Sequence, residues 1–298
     1  MMMKKRSKNG RVIRNSITGY LFVLPSFAGF AIFMLIPILY GFYVSLTNYN
    51  GFNKFDFIGL QNYINMFHDT YFLVSLKNNL LYAIVTVPLT IVLALLLAVA
   101  VKAGVKGSGI FKSMYFFPQV CSYVAVGIVW GIIFSSNGPL NLALKAFGAE
   151  NVPTWLQTSK WALWAIMLVA IWKKLGYYMI MLLAGMQAIP KYIYEAASVD
   201  GANSVVQFFK ITLPMLSPTM FMVIIFSIID SFQVFDLVSI MTNGGPGTAT
   251  NVLVFRIYQE GFKNLHYGYA AAMAYFLFAV ILVITIIQFK FQAKYSVD

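Results

Sequence analysis

Six long stretches of the chain pass with no charged residue or only isolated ones. The first is Asn15 to Asn53, with an apolar core from Tyr20 to Leu46. Asn78 to Val101 is the second. Ser113 to Leu144 is the third, its core running from Tyr115 to Phe134. Trp161 to Ile189 is a fourth, interrupted by Lys173 and Lys174. Pro214 to Met241 is a fifth, carrying Asp230 and Asp236, and Asn264 to Gln288 is the sixth, apolar from Tyr267 onward. A bilayer core of ~30 Å is crossed by about 20 helical residues, and each stretch supplies that length. Backbone amides in lipid must be bonded within the segment or around a closed barrel, and these runs are far longer than barrel strands. The pattern therefore predicts an all-α membrane protein, a single domain over 1–298. Its six transmembrane helices are expected near 20–46, 79–101, 115–135, 161–188, 214–241 and 267–289.

Composition agrees with that reading. Hydrophobic residues make up 60% of the chain and charged residues 10%, far from the ~25% charged of a soluble domain. A formal charge of +12 would suggest nucleic acid on a soluble protein. Here the basic residues sit between apolar runs, so they report orientation instead. Thirteen lie on one side: the tail Lys4, Lys5, Arg6, Lys8, Arg11 and Arg14, then Lys102, Lys106, Lys112, Lys191, Lys210, Lys290 and Lys294. Six lie on the other (Lys54, Lys77, Lys145, Lys160, Arg256 and Lys263), which predicts both termini on the cytoplasmic side. The first apolar core exceeds the 7–15 residues of a signal sequence and contains Pro25 and Pro37, so it is read as a span. Tyr20, Tyr43, Trp155, Trp161 and Tyr267 fall near span ends as interface anchors. The outer loops are Thr47–Lys77, Ser135–Lys160 and Thr242–His266. Asn243 through Gly247 gives the last of them a strong turn signal.

Much chemistry is excluded. One cysteine, Cys121, and two separated histidines, His68 and His266, leave no disulfide framework, no multi-cysteine metal site and no placed nucleophile–base set. The glycines at 104, 107 and 109 with Lys112 and Ser113 do not have the spacing of a phosphate-binding loop. The chain is expected to bind no metal, to have no catalytic residues and to hydrolyse no ATP.

The segment between the fourth and fifth stretches, 189–213, has the features of a helix–turn–helix on the cytoplasmic face. Pro190 can end one helix or begin another. Ile193, Ala196 and Ala197 share a face at i, i+3, i+4 spacing. Gly201 supplies a stop, Ser204 with Gln207 has capping-box spacing, and Pro214 opens the next span. Alanines permit close approach of a partner, as in a helix seated in a groove; a plain connector is the other reading.

Glu195-Ala196-Ala197, three residues, Gly201, nine residues and Ile211-x-Leu213-Pro214 resemble the EAA motif of binding-protein-dependent ABC importer permeases. Tyr20 to Pro25, Phe57 to Tyr63, Leu183 to Pro190 and Leu237 to Pro246 resemble the carbohydrate branch of that family, which includes the lactose, arabinose and glycerol-phosphate permeases and the maltose permease core. The resemblance implies a type I importer permease fold. It implies that Glu195, Ala196, Ala197, Asp200 and Gly201 couple to a cytoplasmic ATPase. The implied partners are a second homologous permease subunit in a heterodimer, two copies of that ATPase holding ATP and Mg, and an extracytoplasmic solute-binding protein. The implied location is the bacterial cytoplasmic (inner) membrane. No cofactor is expected on this chain.

Charges inside a span are costly, ~2.5–3.5 kcal/mol each at the bilayer centre on insertion scales, so they should face the bundle interior or water. Lys174, Tyr177 and Tyr178 share a helix face, as do Ser227, Asp230 and Ser231, with Gln233 nearby. Two such faces suit a route for a hydroxylated solute; a Lys–Asp pair gluing two helices, with Asp236 hydrated at the outer end, is the structural alternative. By the resemblance, Lys173, Lys174, Tyr177, Ser227, Asp230 and Ser231 match the sugar-binding region of the maltose permease. The function expected is import of a sugar or oligosaccharide from a binding protein. Alternatives are the same machinery for a solute such as glycerol phosphate, or an ion-coupled secondary transporter. Cys121 and the methionines are expected to be packing residues.

Overall fold

The computed structural model describes residues 7–52, 56–104 and 107–295, with side chains from 19 to 292. Lys4, Lys5, Arg6, Lys54 and Lys106, which enter the orientation argument, lie outside the described residues, as do the side chains of Lys8, Arg11, Arg14 and Lys294. Among the described residues the chain is helical, with a single isolated β-bridge between Thr47 and Phe57. Five helices have the length and apolarity of a membrane span: Gly19–Ser45, Thr70–Lys102, Ala162–Gln187, Ser217–Met241 and Tyr267–Gln292.

The remaining apolar stretch departs from expectation. In place of one helix near 115–135 there are two, Ser108–Val120 and Tyr123–Ile133, meeting at 100°. Pro118 removes an amide near the end of the first. Cys121 and Ser122 are extended, and the Ser122 side chain then caps the second by accepting from the Ala125 amide. No charged residue interrupts the stretch at this site, so the break is legible only in Pro118 and Ser122.

Two further irregularities occur, the first beside a proline and the second without one. Residues Ala31–Leu35 of the first span form a π-turn just before Pro37, where the ring would press on a carbonyl four residues back. The fifth span consists of Ser217–Phe232 and Asp236–Met241, with Gln233 to Phe235 non-helical between them. Irregular backbone at membrane depth needs protein or a wet cavity around it, and a cavity is what lies there.

The spans pack through three apolar clusters. At one end Ala94 and Ala98, both fully buried, let the second span approach Tyr178, Met179 and Leu182 of the fourth; small residues serve such close packing in membranes. Gly176 belongs to the same seam: a Cβ there would collide with the Tyr115 carbonyl of the first half of the broken span. At the other end Ile166, Met167 and Val169 meet Leu237, Val238 and Phe255. A third cluster joins Met66, Phe72, Phe232, Met273 and Leu277. In the first span, by contrast, most apolar side chains from Tyr20 to Tyr43 are exposed.

Polar ties hold the loop end opposite the 189–213 segment. Asp69 caps the second span and accepts from Arg256 at 3.2 Å and from the Tyr269 hydroxyl at 3.0 Å. Arg256 also meets Glu260 at 2.6 Å, and His266 meets the other Glu260 oxygen at 2.8 Å. Asn78 donates to the carbonyls of Thr248 and Asn251, and Asn79 joins the Ser231 carbonyl to the Leu253 amide. The 242–266 loop, with its predicted turn at Asn243 and Gly244 in positive φ, is thereby fastened over the fifth span's break.

Candidate functional site: an intramembrane cavity and a helix–turn–helix

A cavity of about 270 Å³ opens between the second, fourth and fifth spans, with one wall from the broken span. Tyr82, Thr86 and Thr90 line it from the second span, at i, i+4, i+8 and so on one helix face. Tyr123 contributes from the broken span, and Lys174 and Tyr178 from the fourth. Ser227, Asp230 and Ser231 line it from the fifth, followed by Gln233 and Asp236 across the helix break.

Lys174 Nζ lies 2.7 Å from Asp230 Oδ2, and the Tyr178 hydroxyl donates to the same oxygen at 2.8 Å. The pair is part-exposed to the cavity rather than sealed between helices. Ser231 turns its hydroxyl back to the Ile228 carbonyl of its own helix. Asp236, at the start of the short helix Asp236–Met241, is exposed and makes no ion pair or side-chain hydrogen bond among the described residues.

Two residues expected at this site lie elsewhere. Lys173 does not line the cavity; it is 1% exposed, and its ammonium donates to the carbonyls of Pro118 (2.8 Å) and Cys121 (2.6 Å). Those carbonyls belong to the end of helix Ser108–Val120, left without amide partners by the break, and a cation is favoured at such a terminus. The ammonium also stands 4.3 Å from the Tyr123 ring centroid. Neighbouring lysines point apart because successive helix positions are ~100° apart. Tyr177 likewise faces away from the cavity and packs edge-on against Tyr178 in the 94–98 cluster. Conversely, Tyr82, Thr86, Thr90 and Tyr123 were not singled out by the sequence. The four-residue spacing of the first three carries the signal; Tyr123 depends on the bend.

At one end of the bundle, residues 189–213 form the expected helix–turn–helix. Pro190 is extended and precedes the helix Lys191–Val199. Gly201 has φ +81° and nothing within 4 Å of a notional Cβ, so backbone conformation, not space, calls for glycine there. The second helix, Ser204–Gln207, corrects the capping assignment by one residue: Asn203 is the cap and accepts from the Val206 amide. Gln207 instead reaches across the turn to Ser198 Oγ (2.9 Å) and the Ala202 carbonyl (3.0 Å). Tyr194 bonds Thr212 Oγ1 at 3.0 Å within the unit and ties it to the bundle by accepting from Lys102 of the second span at 2.9 Å.

The face assignment also shifts. Ile193 and Ala197 are half-buried toward the bundle. The free face carries Tyr192, Glu195, Ala196 and Val199, at i, i+3, i+4, i+7, with Tyr192 69% and Val199 88% exposed. Glu195, Ala196, Asp200 and Gly201 are all exposed.

Residues 90–297 match the family described as "Binding-protein-dependent transport system inner membrane component". The "Probable ABC transporter permease protein YesP" of Bacillus subtilis is 36% identical over 95% of this chain and 93% of its own length. An "sn-glycerol-3-phosphate transport system permease protein UgpA" from Agrobacterium fabrum is 33% identical over 95% of this chain and 97% of its own. The fold matches a chain of a "bacterial ABC transporter involved in the import of the acidic polysaccharide alginate" with TM-score 0.85 and 23% identity, over 98% of this chain and 100% of that one. The chain belongs to the inner-membrane-component family of binding-protein-dependent transport systems. It has the type I importer permease fold and is a multi-pass ABC importer permease subunit, which decides against a self-contained ion-coupled transporter.

Proposed function

We propose that this subunit forms half of the passage for a sugar or oligosaccharide, and that its 189–213 loop is the handle by which a separate ATPase drives it. The observation that carries the coupling reading is the free face of helix Lys191–Val199. Tyr192, Glu195, Ala196 and Val199 project from a unit braced internally by Tyr194 on Thr212 and tied to the second span through Lys102. An amphipathic helix with small and large apolar residues at this spacing seats in a groove, and a rigid tether transmits the groove's movement. In this reading Glu195, Ala196, Ala197, Asp200 and Gly201 couple to the ATPase.

The sugar reading rests on the cavity: eight hydroxyl-bearing or amide side chains, three of them tyrosines, line an opening between the spans. Hydroxyls find donors and acceptors in Tyr82, Thr86, Lys174 and Asp230, and sugar ring faces find Tyr123 and Phe235. A second, homologous permease closes the passage as a heterodimer, and an extracytoplasmic binding protein delivers the solute. Two ATPase copies bind ATP and Mg, so this chain carries no cofactor. Both termini then lie in the cytoplasm of a bacterial cell, with the 189–213 loop. Glycerol phosphate is the second reading, favoured by the relatives that carry that name.

Affinity purification of the chain from its own membranes tests the assembly. It should bring down a second permease and two ATPase copies. A chain that moves solute without them contradicts the proposal.

A further inference from the structure

The cavity holds three charged side chains, Lys174, Asp230 and Asp236. Lys174, the only cation among them, is neutralised by Asp230 at 2.7 Å, and the Tyr178 hydroxyl fixes the acceptor oxygen. The neighbouring Lys173 is sealed at the bend of the broken span, its ammonium taken up by the Pro118 and Cys121 carbonyls. Asp236 is exposed and makes no ion pair or side-chain hydrogen bond among the described residues; the Lys173 charge behind the wall acts on it only at a distance. A cavity walled by low-dielectric protein amplifies the field of the unpaired carboxylate that faces it, while the Lys173 charge lies behind the wall.

We infer that this subunit's side of the passage is built to reject anions, with Asp236 as the residue that sets the preference and a neutral, hydroxyl-rich solute as the class it admits. An incoming phosphate or carboxylate would meet Asp236 and find no free cation on this wall. A neutral sugar has hydroxyls that can donate to Asp236 and to Asp230 and accept from the tyrosine and threonine hydroxyls. The inference rests on the cavity being the solute route. It also separates this chain from an importer of acidic polysaccharide that shares its fold.

The charge can be read without knowing the solute. In the assembled importer, with Cys121→Ala removing this chain's one thiol, a reporter Gln233→Cys is placed on the cavity wall, with Thr90→Cys on the opposite wall as an independent second reporter. Each is titrated with hydroxyethyl, trimethylammonioethyl and sulfonatoethyl methanethiosulfonates. Reaction rates are followed on this chain's own peptides by mass spectrometry and divided by the rates for a free thiol. The cation should outpace the anion several-fold. Asp236→Asn should bring the ratio close to unity, and Asp230→Asn, which frees Lys174, should favour the anion relative to the parent. A ratio at or below one in the parent, or one that Asp236→Asn leaves unchanged, overturns the charge inference while leaving the route intact. If the neutral hydroxyethyl reagent reaches neither reporter, the cavity is not an open passage, and the route reading fails along with the inference.

Discussion

The adjacent lysines of the fourth span do different work, and their substitutions should separate accordingly. Lys173 is buried and satisfies carbonyls that the break leaves open. Replacing it with methionine removes charge-assisted bonds and strands those carbonyls, a loss of about 3 kcal/mol. The expected outcome for Lys173→Met is a purified complex with a lowered Tm and a displaced Tyr123; an unchanged Tm would show that the bend needs no cation. Lys174 behaves as half of a pair. Lys174→Ala or Asp230→Ala alone leaves an uncompensated charge in the cavity, so each should impair uptake and stability more than the double variant predicts by addition. A double-mutant cycle on Tm checks this, with coupling of roughly 0.5–3 kcal/mol expected for contacting residues. Additive losses would mean the pair is incidental.

At the scale of elements, helix existence was readable from hydropathy alone because a span must be long, apolar and internally bonded. Its interruptions were not. The bend at Cys121 lies within an uncharged stretch, and the break at Gln233 to Phe235, between Asp230 and Asp236, carries no proline or glycine to mark it; Tyr123 and Asp236 owe their positions to them. The 189–213 loop was legible through its proline and glycine punctuation, which acts locally. Its cap and its free face were not fully so: Asn203 and Ser204 are both good caps, and only the fold turns Ile193 inward and Tyr192 outward. Gly201 offers a clean test of this element. The φ of +81° tolerates aspartate better than most side chains, and the site is open. Gly201→Asp should therefore insert and assemble into the membrane normally. The added carboxylate would project beside the free helix face, so solute uptake should be lost. Normal uptake would remove the loop from the coupling path.

For the whole molecule, the proposed function joins the charged cavity between the spans to the 189–213 unit at one end of the bundle as its handle. The Asp69–Arg256–Glu260–His266 network and the Asn78 and Asn79 ties hold the opposite loops over the fifth span. On the proposed coupling, movement of the 189–213 unit is carried by helices rather than absorbed by slack loops. The most direct measurement is uptake by proteoliposomes holding the complete importer and its binding protein, with ATP enclosed on the side of the 189–213 loop. Accumulation should require ATP, persist when ion gradients are collapsed, and disappear in Gly201→Asp while the complex stays assembled. Accumulation driven by an ion gradient without ATP, or by this subunit alone, would overturn the coupling proposed for the loop.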